Sequence, residues 1–310
     1  MTRTVRAKAP AKVNLQLTVG PPSSDGYHPL VTVFQALDLW ETVEATPRTD
    51  GEITLALEVP AGAPVDATRV PLDESNLAWK AAALLARTFG IDDGVDLRIV
   101  KGVPVAGGMA GGSADAAAAL VACAEAWDAG ATRAQLATLA ARLGADVPFS
   151  LHGHTAVGLD RGDRLTPAMT HGEFHWVLAT QSEGLSTPTV FAELDRRRAA
   201  REQATSDFEV DGALMRALMA GDAVALGQAL TNDLEGPAMS LMPRLEAVLD
   251  ACDAADACGA IVSGSGPTVA ALARSRQHAL AIAAHLKAAK VADAVVTASG
   301  PASGTVVVAD

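Results

Sequence analysis

Pro104-Val105-Ala106-Gly107-Gly108-Met109-Ala110-Gly111-Gly112-Ser113-Ala114-Asp115 is the stretch on which the reading of this chain turns. Upstream, residues 95–100 alternate apolar and polar side chains and predict a strand. Downstream, residues 114–127 are alanine-rich and free of breakers and predict a helix that begins near Ser113. Glycine permits positive φ and carries no Cβ, so the backbone N–H groups of this turn can converge on an anion. The helix N-terminus adds N–H groups without intrahelical partners and the positive end of its dipole. Together they make a cradle for phosphate oxygens. The turn is not a Walker A loop, because Gly112 is followed by Ser113-Ala114 where that loop needs Lys and Ser/Thr. Nor is it a Rossmann fingerprint, because no βαβ unit surrounds it. The plainer alternative is a flexible connector with Ser113 as an ordinary N-cap.

Working outward, residues 13–19 alternate strictly. Val13, Leu15, Leu17 and Val19 share one face of a strand, and Lys12, Asn14, Gln16 and Thr18 share the other. A Gly/Pro/Ser loop over 20–26 ends it. Strands are predicted over 30–39 and 52–59, and a helix over 75–88 with Ser75 as its cap. Thr132 and Gln135 form a capping box, and the helix it opens ends at Gly144. Further on, strands are predicted over 154–159, 176–180, 260–262, 269–273, 294–297 and 304–308, and helices over 211–220, 222–230, 241–252 and 276–289. The charged stretch 195–207 reads as a solvated loop or helix end. This is not regular βαβ alternation, so the fold class is α+β. The boundary between two domains falls between about 160 and 175, giving 1–165 and 166–310.

Composition narrows the function. The chain has 310 residues, 49% hydrophobic and 4% aromatic, so its core must be built from small aliphatic side chains. A mean hydropathy of +0.22 excludes disorder for most of the chain. A net charge of −12 disfavours binding to nucleic acid. Cys123, Cys252 and Cys258 form neither a disulfide framework nor a zinc pattern, and a reducing, cytoplasmic location is expected. Residues 1–12 contain no apolar core of a secretory signal, and the longest apolar run, 116–124, is too short to span a bilayer, so no membrane partner is expected.

The glycine-rich stretch is similar to the second signature of the GHMP kinases. Ala9-Pro10-Ala11-Lys12-Val13-Asn14-Leu15 resembles their first signature, and Ser263-Gly264-Ser265-Gly266-Pro267-Thr268 resembles their third. Asp25-Gly26-Tyr27-His28 and Gly144-Ala145-Asp146-Val147-Pro148-Phe149 resemble one branch of that family, which acts on a cytidine diphosphate-linked polyol. There are departures: Met109 and Ala110 stand where Leu-Gly is commoner, and 157–163 matches only loosely.

The resemblance implies a ribosomal-protein-like N-terminal domain that binds ATP and a ferredoxin-like C-terminal domain that binds substrate, with the active site in the cleft between them. The implied activity is transfer of the ATP γ-phosphate to the 2-hydroxyl of that polyol, in the non-mevalonate isoprenoid precursor pathway. Lys12 and Asp146 become the catalytic pair. Pro104, Val105, Ala106, Gly107, Gly108, Met109, Ala110, Gly111, Gly112, Ser113 and Ala114 hold the phosphates, with Asn76 and Lys101 near adenine and ribose. Asn14, Tyr27, His28, Thr187, Phe191, Gly264, Ser265 and Gly266 hold the substrate. Mg²⁺ is expected with ATP, and the sequence names no protein ligand for it. The enzyme would act as a monomer or weak homodimer.

From the residues alone, plainer readings stand beside these. Asp146 reads equally as the cap of a short helical turn, Lys12 and Lys101 as solvated lysines, Asn76 as a helix cap and Phe191 as a core aromatic. Three other functions also stay open. Another GHMP kinase, for mevalonate, homoserine or a sugar, is disfavoured by the Tyr27-His28 pair. A non-catalytic nucleotide-binding member is disfavoured by the presence of both Lys12 and Asp146. An RNA-binding relative of the N-terminal fold is disfavoured by the net charge.

Overall fold

Val5, Ala7, Ala9, Ala11, Val13 and Leu15 are buried at every second position, and they belong to one strand, β1 (Val5–Val19). The computed structural model describes residues 3–24, 26–63, 65–104, 107–204 and 206–309. After β1 come β2 (Leu30–Arg48), β3 (Ile53–Glu58), α1 (Leu77–Phe89), β4 (Gly94–Val100), α2 (Gly111–Ala126), α3 (Arg133–Leu143) and α4 (Val147–His152). Then follow β5 (Thr155–Asp160), β6 (Arg164–Pro167), β7 (Phe174–Thr180), α5 (Thr187–Ala199), α6 (Gly212–Ala220), α7 (Ala223–Gln228) and β8 (Thr231–Asn232). The chain ends with α8 (Glu235–Leu241), α9 (Arg244–Ala254), β9 (Gly259–Val262), β10 (Val269–Ala273), α10 (Arg276–Ala289), β11 (Ala294–Gly300) and β12 (Val306–Val307).

The first sheet runs β12-β1-β2-β4-β3, with β5 also on β2, β6 on β5 and β8 parallel to β1. The second is antiparallel, in the order β11-β7-β10-β9. A division at 165/166 falls inside β6, and β8 and β12 return from beyond it to the first sheet. Along β1 the partners in β2 step from Trp40 opposite Pro10 to Leu37 opposite Ala11, so β2 bulges there. Below the bulge Val5, Ala7 and Ala9 pack with α1 and α2; above it Ala11, Val13 and Leu15 pack with the second sheet. The polar side of the strand is covered as well: Lys12, Asn14, Gln16 and Thr18 are all buried. Lys12 and Asn14 on that face lie against Gly264.

Several elements differ from the sequence expectation for local physical reasons. β1 starts at Val5, eight residues before the strict alternation, because alanine serves as its apolar residue there. β2 runs on to Arg48, its first half paired with β5 and its second with β4. The cap of α1 is Asn76, whose Oδ1 accepts from the Ala78 N–H, and not Ser75. The helix expected over 241–252 is two helices, because Pro243 lacks the N–H that α8 would need to continue. Of the stretch 195–207, expected as a solvated loop or helix end, residues 195–199 are the end of α5. Pro188 stands in its first turn, where a missing N–H costs nothing.

Trp176 of β7, fully buried, donates its indole N–H to Gln35 Oε1 of β2 at 2.9 Å and ties the two sheets together. Trp176→Phe keeps an apolar ring and leaves that buried amide oxygen without its donor. The variant should lose about 1–3 kcal/mol of unfolding free energy, seen as a lower urea midpoint at unchanged slope.

Candidate active site

Lys12 emerges from the buried polar face of β1 with its ammonium 2.6 Å from Asn14 Oδ1 and 4.0 Å from Asp146 Oδ2. Asn14 is itself oriented by Thr32, which accepts from its amide at 2.9 Å. Burial lowers the pKa of the Lys12 ammonium, and the Asp146 charge pulls in the opposite direction. Asp146 stands at the N-cap position of α4, yet its side chain takes no capping hydrogen bond. Its carboxylate is 35% exposed and faces the lysine. The plain capping role is therefore not the one this side chain fills.

Two glycine turns meet beside Lys12 and Asn14. Gly108 has φ +73°, and a Cβ placed on it would lie 2.0 Å from the Ser263 carbonyl oxygen. The Ser263 hydroxyl donates to the Gly108 carbonyl at 3.2 Å. Gly264 has φ +59°, and a Cβ there would stand 3.2 Å from Lys12 Nζ and 3.3 Å from Asn14 Oδ1. The first and third motifs of the sequence and the glycine-rich turn thus converge within contact distance. Met109 is wholly buried in the core beside Val13 and Leu15, and its carbonyl accepts from the Lys12 N–H at 3.2 Å. Ala110 adopts φ +59° at the N-cap of α2 and offers no capping side chain. The helix begins at Gly111, two residues before Ser113, so the amides of its first turn are bare of side-chain caps. Pro104 is buried at the start of the turn and Ala114 is buried in α2. Val105 and Ala106 lie outside the described residues.

Lys101 is not a solvated lysine, whereas Asn76 is the helix cap of its plainer reading. Lys101 is 2% exposed, with its ammonium 2.5 Å from Glu41 Oε1 and 2.7 Å from Asp115 Oδ2. Burial opposes its charge, but Asp115 and Glu41 outweigh burial and raise its pKa. Burial, and then the charge of Asp115, push Glu41 well above the usual carboxyl range, and burial raises Asp115 too. Two carboxyl groups thus share one ammonium, and burial works against the charge of each. Gly111 lies directly above it: a Cβ there would be 3.0 Å from Glu41 Oε1. Asn76 spends its side chain on Ala78 and on the Pro71 carbonyl. Both residues are spent on the protein's own frame.

The third group comes together around α5. Thr187 Oγ1 is 2.8 Å from Ser265 Oγ, and the Phe191 ring lies 5.1 Å from the His28 ring at 42°. Phe191 is thus drawn to the histidine and is not wholly absorbed into the core. His28 Nε2 is 2.9 Å from Asp195 Oδ1. Tyr27 is 56% exposed and stacks under the Arg161 guanidinium at 3.8 Å. Gly266, φ +75°, closes the turn that Ser263 opens. Asp25 lies outside the described residues.

Sequence reasoning missed the supports. Asn232 donates to both the Val262 and Gly264 carbonyls, at 2.7 and 2.8 Å, and so fixes the third glycine turn. Glu235 accepts from the Val262 N–H at 2.9 Å. Glu41, Asp115, Arg161 and Asp195 carry no local pattern that marks them. Chemically, the assembly offers a buried cation beside a half-open carboxylate, under a loop of bare amides. It can orient a hydroxyl, take its proton and neutralise an anion.

Known proteins resemble this chain along its whole length. The family model "GHMP kinases N terminal domain" matches residues 76–154 and "GHMP kinases C terminal" matches residues 214–292. A 4-diphosphocytidyl-2-C-methyl-D-erythritol kinase of Thermobifida fusca (strain YX) is 52% identical over 307 residues, 98% of each chain. One of the same name from Leifsonia xyli subsp. xyli (strain CTCB07) is 49% identical over 310 residues, 99% of each. A crystal structure of 4-(cytidine 5'-diphospho)-2C-methyl-D-erythritol kinase superposes with a TM-score of 0.75 at 32% identity, covering 95% of this chain and 98% of that one. With both family domains matched in order, and relatives of half-identical sequence along its length, this chain belongs to the GHMP kinases and has their two-domain α+β fold.

Proposed function

We propose that the chain transfers the γ-phosphate of ATP to the 2-hydroxyl of 4-diphosphocytidyl-2-C-methyl-D-erythritol, a step of the non-mevalonate route to isoprenoid precursors. The observation that carries the reading is the Lys12–Asp146 pair, 4.0 Å apart where the two glycine turns meet. Asp146 accepts the proton of the 2-hydroxyl as its oxygen attacks the γ-phosphorus, and ADP leaves. Lys12, beside that carboxylate, offsets the charge that gathers on the transferring phosphoryl group. Asn14, held by Thr32, orients both the lysine and the substrate.

The turn 104–114 and the first amides of α2 hold the triphosphate, with Asn76 and Lys101 framing the ATP side. Mg²⁺ bound to ATP would neutralise the bridging phosphate charge. It would ride on phosphate oxygens, with the Ser113 hydroxyl in the first turn of α2 beside it; among the described residues no three His, Cys, Asp or Glu side chains converge as a metal cage. Tyr27, His28 and Phe191 take the cytosine, and Thr187 with 264–266 takes the remainder of the substrate. Residues 1–165 form the ATP side, and residues 166–310 form the substrate side together with Asn14, Tyr27 and His28 from the first part. Among the described residues no helix is long and apolar enough to cross a membrane. A cytoplasmic monomer or weak homodimer completes the proposal.

Two measurements test the pair. Asp146→Asn should lower kcat by roughly 10²–10⁴ with the fold intact; near-normal turnover would remove Asp146 from the mechanism. The charged form of Lys12 is the working one, and it is lost as pH rises through a pKa that burial has lowered. The alkaline limb of kcat/KM should therefore fall below the range of an ordinary lysine. Lys12→Arg, which stays charged at every accessible pH, should abolish that limb in whatever activity it retains.

A further inference from the structure

α5 lays Thr187, Phe191 and Asp195 on one face at i, i+4 and i+8, and all three reach the substrate side. The first two are explained by packing and hydrogen bonding around the substrate turn. Asp195 is not. Arg196 and Arg198 of the same helix pair with Glu193, Glu202 and Asp233, and Asp195 faces His28 alone among the described residues. The carboxylate is 41% exposed and is not needed by any core, while the imidazole it meets is 7% exposed.

A carboxylate only accepts hydrogen bonds, so at 2.9 Å the proton between them belongs to His28 Nε2. In a neutral imidazole a proton on Nε2 leaves Nδ1 with its lone pair. Among the described residues Nδ1 has no hydrogen-bond partner. The ring is also gripped from the side by Phe191, so it presents that lone pair in one orientation.

We infer that Asp195 is a specificity-positioning residue: by locking His28 as the Nε2–H tautomer it turns Nδ1 into an acceptor that favours the exocyclic amine of cytosine over the carbonyl oxygen of uracil. The inference rests on the proposed function for placing a pyrimidine against His28 and Phe191. A cytosine amine donates to the Nδ1 lone pair, whereas a uracil oxygen would set one lone pair against another.

The test compares the cytidyl substrate with its uridyl analogue on the full chain, in wild type, Asp195→Ala and Asp195→Glu. Wild type should favour cytidyl in kcat/KM by roughly 100-fold, Asp195→Ala should cut that ratio by roughly 10-fold or more, and Asp195→Glu should restore most of it. ¹⁵N NMR of labelled histidine at mildly alkaline pH should show His28 protonated on Nε2 in wild type and released from that state in Asp195→Ala. A ratio that Asp195→Ala leaves unchanged, with both substrates weakened alike, would reduce Asp195 to support for α5 and overturn the inference, as would a wild-type His28 protonated on Nδ1. Wild-type turnover of the cytidyl substrate is read first. Its absence would overturn the kinase assignment and the inference with it, whereas turnover with an insensitive ratio overturns the role of Asp195 only.

Discussion

Between Gly108 and the Ser263 carbonyl there is no room for one more carbon atom. That contact sets how closely the turn leading into α2 approaches the second sheet, and it leaves Lys12 and Asn14 as the side chains beneath the seam. Any side chain at Gly108 would push the two turns apart, and with them the amides of α2 from the ammonium of Lys12. Met109 holds the same seam from below, because its side chain is sunk in the core while its carbonyl accepts from the Lys12 backbone. Asn232 and Glu235 hold it from the far side by fixing the backbone of 262–264. The close approach is thus maintained from below and from the far side, and what it brings together is backbone rather than any reactive group.

The two buried lysines near this seam show how surroundings divide labour between identical side chains. Lys101 sits between two carboxylates that hold it charged, so it is a strut: its charge is fully occupied under Gly111. Lys12 has a neutral amide at 2.6 Å and a carboxylate only at 4.0 Å, and burial wins, lowering its pKa. Its ammonium is under-compensated, which is the condition in which a further anion binds most favourably.

How much of this was legible from the sequence depended on the range of the interactions. The capping box at Thr132 and Gln135 is local and came out as read. The strict alternation after Lys12 was a sound signal for a strand, but the earlier half of β1 was hidden because alanine is too small to mark a face. α5 was obscured by Pro188 and a run of charges, although its first turn tolerates the one and its exposed face needs the other. The trio around Lys101 could not be read at all: Glu41, Lys101 and Asp115 come from β2, the end of β4 and α2, and nothing in the local pattern of any one of them predicts the others. The candidate site residues are marked only by family resemblance, since a polar strand face or an Asp before Val-Pro has plainer meanings taken alone. What the structure adds is that these distant pieces touch.

β1 is the first strand of the chain, yet its outer edge is covered at one end by β12 and at the other by β8, both from the last third of the sequence. A ribosome therefore delivers the centre of the first sheet long before it delivers the strands that complete it. Until then the backbone groups of β1 on that side have only water, a chaperone or a wrong partner to bond with. Lys12 travels on this unfinished strand, and Gly264, which lies against its ammonium, is also synthesised late.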